Sequence, residues 1–168
     1  ERAGRILTVF HNRRLDTDIV TARRVLADGL VGTPWRAVNR FDLDDPDTLE
    51  VGPAHGLLRD LGSHVVDQMT HLFGPVVRVD AHLDWVERDG QRVDAGFTIG
   101  MHHRSGVHST ASSSKLNRLH EHELIVYGLG GSYTSRMSDV QTLAALAGRR
   151  PLTDPGWGVE AEERWGTL

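Results

Sequence analysis

The chain has 168 residues, 39% of them apolar and 25% charged, which is enough for one compact domain with its own core. It contains no cysteine, which excludes a disulfide framework, a thiolate metal site and a cysteine nucleophile. The net charge of −4 gives no reason to expect nucleic acid or an anionic membrane as a partner. Without a long apolar run or a basic and apolar leader, a cytoplasmic location is expected.

The first two predicted elements form the end of a βα unit. Residues 6–10 are a short branched apolar run, which is typical of a buried strand. A polar burst follows, and Asp16 or Thr17 can cap a helix that ends at Gly29. The apolar stripe of this helix consists of Ile19, Ala22, Leu26 and Leu30. Because the chain begins without a methionine, inside the expected strand, a fragment of a longer protein is expected.

A second strand, a loop and a long helix are predicted next. Residues 35–43 are expected to form a strand, and the acidic residues 44–54, with two prolines, a loop. Residues 57–73 show the clearest helical pattern of the chain, which Gly74 and Pro75 end. The expected buried face of this helix comprises Leu58, Leu61, Val65, Met69 and Leu72.

The second half of the chain alternates apolar and polar residues, which predicts antiparallel strands. Asp89-Gly90 is a strong turn signal, and a short helix is expected at 140–147. Because the strands follow one another with tight turns, they are expected to form a meander. The fold class is therefore α+β, with a large, mostly antiparallel open sheet and helices packed on one face. The strands are expected at residues 77–85, 93–101, 107–113 and 121–127.

The polar edge of the long helix carries the best candidates for chemistry. Four polar residues of this helix are spaced 4, 3 and 4 apart, so at about 100° per residue they fall in a stripe roughly 60° wide. A histidine hydrogen-bonded to an aspartate one turn away is a general acid/base unit, because the carboxylate fixes the tautomer and raises the basicity of the imidazole. A solvated face with salt bridges one turn apart is the alternative. The four residues are Asp60, His64, Asp67 and His71.

Metal binding and dinucleotide binding are less well supported by the residues. A histidine and a neighbouring aspartate of this edge could share a zinc ion, but all four cannot, because the edge spans about 16 Å. No metal site is therefore expected. The glycine-rich residues 127–131 are expected to be a turn, because Tyr133 stands where a dinucleotide fingerprint needs a small residue. Arg13 and Arg14 either grip an anion or form a solvated pair.

Three stretches resemble a known family in the same order. Residues 56–67 fit the pattern G-x-x-x-D-x-G-x-H-x-x-D. Residues 11–18 look like the end of a last Rossmann strand and the start of a crossover helix, and residues 131–158 look like a carboxy-terminal segment with a Trp-Gly pair. In these features the chain resembles the glucose–fructose oxidoreductase / inositol dehydrogenase (Gfo/Idh/MocA) family over nearly its whole length.

This resemblance implies a two-domain parent enzyme. Residues 1–15 would be the last strand of a truncated Rossmann domain, and residues 16–168 a substrate-binding and oligomerisation domain. The parent would be an oxidoreductase that uses NAD or NADP, bound mainly by the missing amino-terminal domain, and acts on a sugar, polyol or related secondary alcohol. The chain alone is expected to be inactive, because it lacks a phosphate-binding loop.

The resemblance also implies roles for individual residues. His64 would be the acid/base on the substrate hydroxyl, and Asp60 its partner or a substrate ligand. No cofactor-binding residue is assigned, and Lys115, the only lysine of the chain, is not in the context of the family's Glu-Lys-Pro lysine. The residues implied to bind substrate are Asn12, Arg13 and Asp67.

The open face of the sheet is expected to mediate a homodimer or tetramer, as the resemblance implies. Two glycines of its central strand leave room for another surface to approach. The alternative function is a non-catalytic binding or dimerisation module of a degenerate family member, and a third is a metal-dependent hydrolase. The residues expected on this face of the central strand are Asp94, Gly96, Thr98, Gly100 and His102.

Overall fold

A computed structural model describes residues 4–168. The helices are α1 (Thr17–Ala27), α2 (Ser63–Phe73) and α3 (Val140–Leu146). The strands are β1 (Pro34–Asp42), β2 (Val76–Arg88), β3 (Gln91–His103), β4 (His108–Ser114), β5 (Glu121–Gly128) and β6 (Ser132–Ser135). Short 3-10 turns cover Asn12–Leu15, Pro46–Thr48 and Glu162–Arg164. Within this part of the chain, no helix combines the length and the apolar character that a membrane crossing requires.

The six strands form one open sheet in the order β2-β3-β4-β1-β5-β6. The predicted α+β class is confirmed, but the simple meander is wrong, because β1 lies between β4 and β5. Strand β1 pairs parallel with β4 and antiparallel with β5. Alternation along a strand tells which face each side chain occupies but not which strands become neighbours, so the sequence pattern did not reveal this insertion.

Helices α1 and α2 cover one face of the sheet and form the core with it. The buried residues Ile19, Ala22 and Val25 lie one helical turn apart on α1. On α2 the buried face comprises Val65, Met69 and Phe73, whereas the predicted members Leu58 and Leu72 are only partly buried. From the sheet side the core receives Ala37, Phe97, Met101, Ala111, Leu124 and Val126.

A buried amide joins the sheet, α2 and the turn that precedes α1. The side chain of Gln68 on α2 is 1% exposed and accepts a hydrogen bond from Asn39 Nδ2 of β1 at 2.8 Å. Its amide nitrogen donates to the carbonyl oxygen of Arg13 at 2.9 Å. Because a buried polar group without partners costs free energy, these bonds fix the turn against α2.

The strand predicted at residues 6–10 is not formed. Residues 4–11 have neither helix nor strand, and Ile6 and Leu7 are 98% and 94% exposed. A strand needs a neighbour to receive its backbone hydrogen bonds, and none of the strands between residues 4 and 168 lies beside this segment. Residues 1–3 of the predicted terminal strand lie outside the described residues.

A β-bulge in β3 turns Asp94 toward the helices. The pairing passes from Asp84 opposite Gly96 to Trp85 opposite Asp94, so one residue of β3 is skipped. The Asp94 side chain is consequently buried and accepts a hydrogen bond from the backbone N–H of Leu58 at 2.6 Å. The prediction that Asp94 lies on the open face is therefore wrong, because the bulge shifts the alternation by one residue.

The open face of the sheet leaves less space for another surface above Gly96 and Gly100 of β3 than the sequence predicts. A Cβ atom on Gly96 would lie 2.8 Å from a carboxylate oxygen of Asp84, and one on Gly100 would lie 2.5 Å from a carboxylate oxygen of Asp80. Side chains of the neighbouring strand β2 already cover both glycines. The expected empty space is therefore filled, while Thr98 between them is exposed.

We expect Asp94→Ala to lower the free energy of unfolding by about 1–3 kcal/mol, because the partly buried N–H of Leu58 loses its acceptor. Urea unfolding of the chain measures this change. The matched control is Asp84→Ala on the same sheet, whose side chain is 60% exposed and whose loss should cost less than about 0.5 kcal/mol. Equal effects of the two substitutions would contradict the structural role of Asp94.

Candidate active site

A π turn places Asp60 at the start of the long helix. It covers Leu58–Gly62 and continues directly into α2. Gly62 packs closely against two apolar side chains: a Cβ there would lie 2.7 Å from Cδ1 of Leu58 and 3.3 Å from the Phe97 ring. The wider turn takes Asp60 out of the helical stripe, and its carboxylate instead lies 3.4 Å from Lys115 Nζ.

His64, one turn after Asp60, has a buried ring nitrogen that makes no hydrogen bond. Its ring is half-buried, and Nδ1 is buried without a hydrogen-bond partner. Burial, together with the positive charges of Arg13 and His11, lowers the pKa of His64 below its ordinary value, against the smaller opposing effect of Asp60 and Asp67. The imidazole is therefore neutral at pH 7, which is the state in which it can accept a proton.

Asp67 binds an arginine of the preceding turn. Arg14 donates to both of its carboxylate oxygens, at 2.7 and 2.6 Å, and His11 Nε2 lies 3.8 Å from the same carboxylate. The hydrogen bonds from Arg14 lower the pKa of Asp67, so it is a carboxylate at neutral pH. This clamp holds the turn at residues 12–15 against α2 on the solvent side.

The predicted hydrogen-bonded histidine–aspartate unit is not formed. No hydrogen bond joins His64 to Asp60 or Asp67, because Lys115 and Arg14 engage the two carboxylates. His71, the last member of the predicted edge, has its pKa lowered by burial and by nearby arginines. The structure thus brings Asp60, His64 and Asp67 together as neighbours, with electrostatic effects on His64, but not as one hydrogen-bonded chain.

Asn12 and Arg13 lie in the 3-10 turn beside this helix. Asn12 is exposed. The Arg13 guanidinium donates to Asp16 at 3.2 Å and to Asp139 at 3.0 Å, and it stacks over the Phe41 ring at 4.8 Å from the centroid. Arg13 is therefore engaged within the chain, and Asn12 is the exposed one of the three residues predicted to bind substrate.

A polar pocket of about 440 Å³ opens beside Asp60. Its position was not apparent from the sequence, because its walls come from the loop before the π turn, from the turn itself and from the end of β4. Lys115 is the residue that sequence reasoning missed, although a single lysine directly after a strand was a signal. The lining includes Thr48, Glu50, His55, Arg59, Asp60 and Lys115.

A second titratable cluster lies on the inner side of the turn. Ligand atoms of Asp16, Asp18 and His122 lie within 4.8 Å of one another, a spacing that could hold a metal ion, although Asp16 is already paired with Arg13. Asp18 Oδ2 and His122 Nε2 are 3.5 Å apart, and both are buried without a hydrogen bond. Burial raises the pKa of Asp18 to about 7 and lowers that of His122 to about 4. Since His122 is far from Asp16 and Asp18 in the chain, no sequence pattern indicated the cluster.

The glycine-rich loop at residues 128–131 does not form a dinucleotide cradle. A Cβ on Gly128 would lie 2.0 Å from the carbonyl oxygen of Val31, and Gly130 also packs against this segment. Strand β6 follows the loop, not a helix. The predicted turn is confirmed, and the described residues offer no helix amino terminus at this loop for a pyrophosphate.

Comparison with protein families settles the relationship of the chain. Residues 19–134 match the family described as the GFO/IDH/MocA C-terminal domain. The chain belongs to this family. The matched segment includes the π turn, α2 and strands β1 to β5, so it contains Asp60, His64 and Lys115.

Two curated relatives of the chain are named as dehydrogenases. The chain is 30% identical over 182 residues to scyllo-inositol 2-dehydrogenase (NADP(+)) IolW of Bacillus subtilis strain 168, covering 100% of the chain and 48% of that protein. It is 34% identical over 122 residues to D-apiose dehydrogenase of Paraburkholderia graminis, covering 70% of the chain and 32% of that protein. The chain thus spans half or less of the length of these relatives.

A solved structure of an oxidoreductase from Bacillus cereus has the same fold. It superimposes with a TM-score of 0.84 at 25% sequence identity and covers 98% of this chain and 48% of the other. The fold of nearly the whole chain is therefore shared with this oxidoreductase.

We expect the free energy of unfolding of His122→Phe to depend on pH. In the wild type this dependence is absent, because the contributions of Asp18 and His122 cancel. Between about pH 4 and 7 the folded pair holds one proton on Asp18, and the unfolded pair holds one mainly on the histidine, because the ordinary pKa values are 3.8 and 6.5. Without His122, the folded chain binds one proton more than the unfolded chain. The free energy of unfolding should then fall by on the order of 4 kcal/mol as pH rises through this window.

Urea unfolding at several pH values measures this difference. His82→Phe is the control, because the His82 side chain is 80% exposed and its removal should leave the slope of stability against pH unchanged. A flat profile for His122→Phe would show that Asp18 is not held protonated by burial.

Proposed function

We propose that the chain is the substrate-binding and acid/base part of an NAD(P)-dependent oxidoreductase that acts on a sugar, polyol or related secondary alcohol. The observation that carries this proposal is His64, whose pKa is lowered so that the imidazole is neutral at pH 7, one helical turn after Asp60, which lines a polar pocket. Membership of the GFO/IDH/MocA family and relatives named for inositol and apiose support it.

The chemistry assigned to the chain is removal of the hydroxyl proton. In alcohol oxidation a proton leaves oxygen as hydride leaves carbon, and the nicotinamide supplies the hydride acceptor. His64 accepts the proton in the forward direction and returns it in the reverse direction. Asp60 accepts a hydrogen bond from a substrate hydroxyl, and exposed Asn12 provides a further polar contact at the rim.

We assign the dinucleotide mainly to an amino-terminal Rossmann domain of the parent protein, with residues 1–15 as the end of that domain and residues 16–168 as the substrate domain. Residues 6–10 would form its last strand only beside the sheet of that domain, and the 3-10 turn Asn12–Leu15 follows. The exposed apolar side chains of residues 6–10 support this division, because a neighbouring sheet would bury them. The glycine loop at residues 128–131 is packed against Val31 and does not take this role.

The second candidate is a binding or dimerisation module without catalysis. It is favoured by the engagement of both neighbouring carboxylates, since Arg14 binds Asp67 and Lys115 binds Asp60. In this case His64 would contribute to binding alone. Activity of the full-length protein distinguishes the two candidates.

We expect His64→Gln in the full-length protein to lower kcat for polyol oxidation by roughly 100-fold or more, the typical contribution of a general base. The matched control is His71→Gln, two turns further along the same helix, which should retain activity. Because the pKa of His64 is lowered, wild-type kcat/KM should be level at pH 7 and fall with decreasing pH only below about 6.5. Equal turnover by wild type and His64→Gln would favour the non-catalytic module.

We propose that the open sheet face forms a homodimer, alone or within a tetramer. Thr98 is exposed at its centre, and the exposed edge strand β2 carries both signs of charge, which makes the patch self-complementary. The charged or ionisable side chains of this patch on β2 are Arg78, Asp80, His82 and Asp84.

Light scattering at micromolar concentration tests this association. Thr98→Arg should produce monomers, because it places an unpaired charge at the centre of the interface. Thr153→Arg, in an exposed turn, should leave the dimer intact. A wild-type chain that is monomeric would rule out the proposed interface.

A further inference from the structure

Lys115 is a buried lysine at the wall of the polar pocket. It is 5% exposed, whereas most lysines lie at the surface. Its backbone N–H donates to the carbonyl oxygen of Ala95 at 3.0 Å, directly after β4. The sheet therefore fixes where the side chain starts, and the four-carbon stem reaches the pocket from a rigid position.

The ammonium group of Lys115 bridges two separate segments of the pocket wall. Its Nζ donates to the carbonyl oxygen of Thr48 at 3.1 Å and to Asp60 Oδ2 at 3.4 Å. The first contact holds the loop before the π turn, and the second holds the residue assigned to the substrate. An ammonium group has three N–H donors, so these two contacts leave one for the pocket.

Burial of this charge is costly unless it has partners. An ammonium group that loses water gains stability only from charged or well-placed polar groups. The Lys115 side chain is 6% exposed while the Asp60 side chain is 57% exposed. The pair is therefore arranged with the cation inside and the carboxylate open to the pocket, which orients one oxygen of Asp60 inward and leaves the other for a ligand.

We propose that Lys115 is a positioning residue for the reaction: it fixes the Asp60 carboxylate toward the pocket and ties it to the Thr48 loop. This inference rests on the proposed function, in which Asp60 binds a hydroxyl of the substrate. Lys115 acts through Asp60 and does not exchange the proton that His64 removes. It consequently affects the binding of a polyhydroxylated substrate, and hence KM, more than the rate of the chemical step.

Steady-state kinetics of the full-length protein with a polyol substrate test this role. In Lys115→Met, KM should rise and kcat/KM should fall roughly tenfold or more, the effect of losing one charge-assisted hydrogen bond, while kcat changes less. Lys115→Arg, which retains the charge, should recover part of this loss. Arg118→Met is the control, because Arg118 lies three residues further on and pairs with Asp44 at the surface, 3.3 Å away.

A double-mutant cycle separates positioning from a general effect on folding. In an Asp60→Asn background, Lys115→Met should cause little further rise in KM, because the carboxylate it orients is already absent. Urea midpoints of all variants show whether each is folded at the assay temperature. If Lys115→Met raises KM equally in both backgrounds, or if Lys115→Met has wild-type kinetics, the positioning role is overturned.

The same experiment distinguishes failure of this inference from failure of the proposed function. An active wild type with additive effects of Lys115 and Asp60 would overturn the role of Lys115 and leave the oxidoreductase standing. A wild type that turns over no polyol with NAD or NADP would overturn the proposed function and, with it, the role of Lys115. Coupled effects in an active enzyme would support both.

Discussion

The buried amide of Gln68 is the constraint on which the candidate site depends. It accepts from Asn39 of β1 and donates to the Arg13 carbonyl, so the sheet, α2 and the turn before α1 must meet in one arrangement. Because Gln68 is only 1% exposed, an arrangement that breaks these bonds would leave polar groups buried without partners. His64 lies one turn before Gln68, so the same bonds bring its ring beside the turn and its charges.

Two adjacent arginines of that turn bind different sets of carboxylates. The exposed Arg14 binds the partly buried Asp67, whereas Arg13 points inward to Asp16 and Asp139. These pairs occupy Arg13 and Asp67, two of the three residues that the sequence suggested for substrate binding. His64 consequently keeps an unbonded nitrogen, and the nearby cations favour its neutral form.

Two departures from regular structure act together at the pocket. The bulge in β3 turns Asp94 inward, where it accepts from the first N–H of the π turn. The π turn then directs Asp60 to Lys115 instead of toward His64. Bulges and π turns both interrupt the regular hydrogen-bond pattern, and both are common at functional sites, where they change the direction of a side chain.

The sequence by itself determined the α+β class, the position of most helices and strands, and the helix that carries Asp60 and His64, because periodicity reports burial and short motifs report local geometry. Only the tertiary structure decided that β1 enters between β4 and β5, that Asp94 points inward, and that residues 6–10 form no strand. It also decided the partners of the charged groups. Lys115 meets Asp60 across 55 residues, and no local pattern encodes a contact that depends on how distant segments pack.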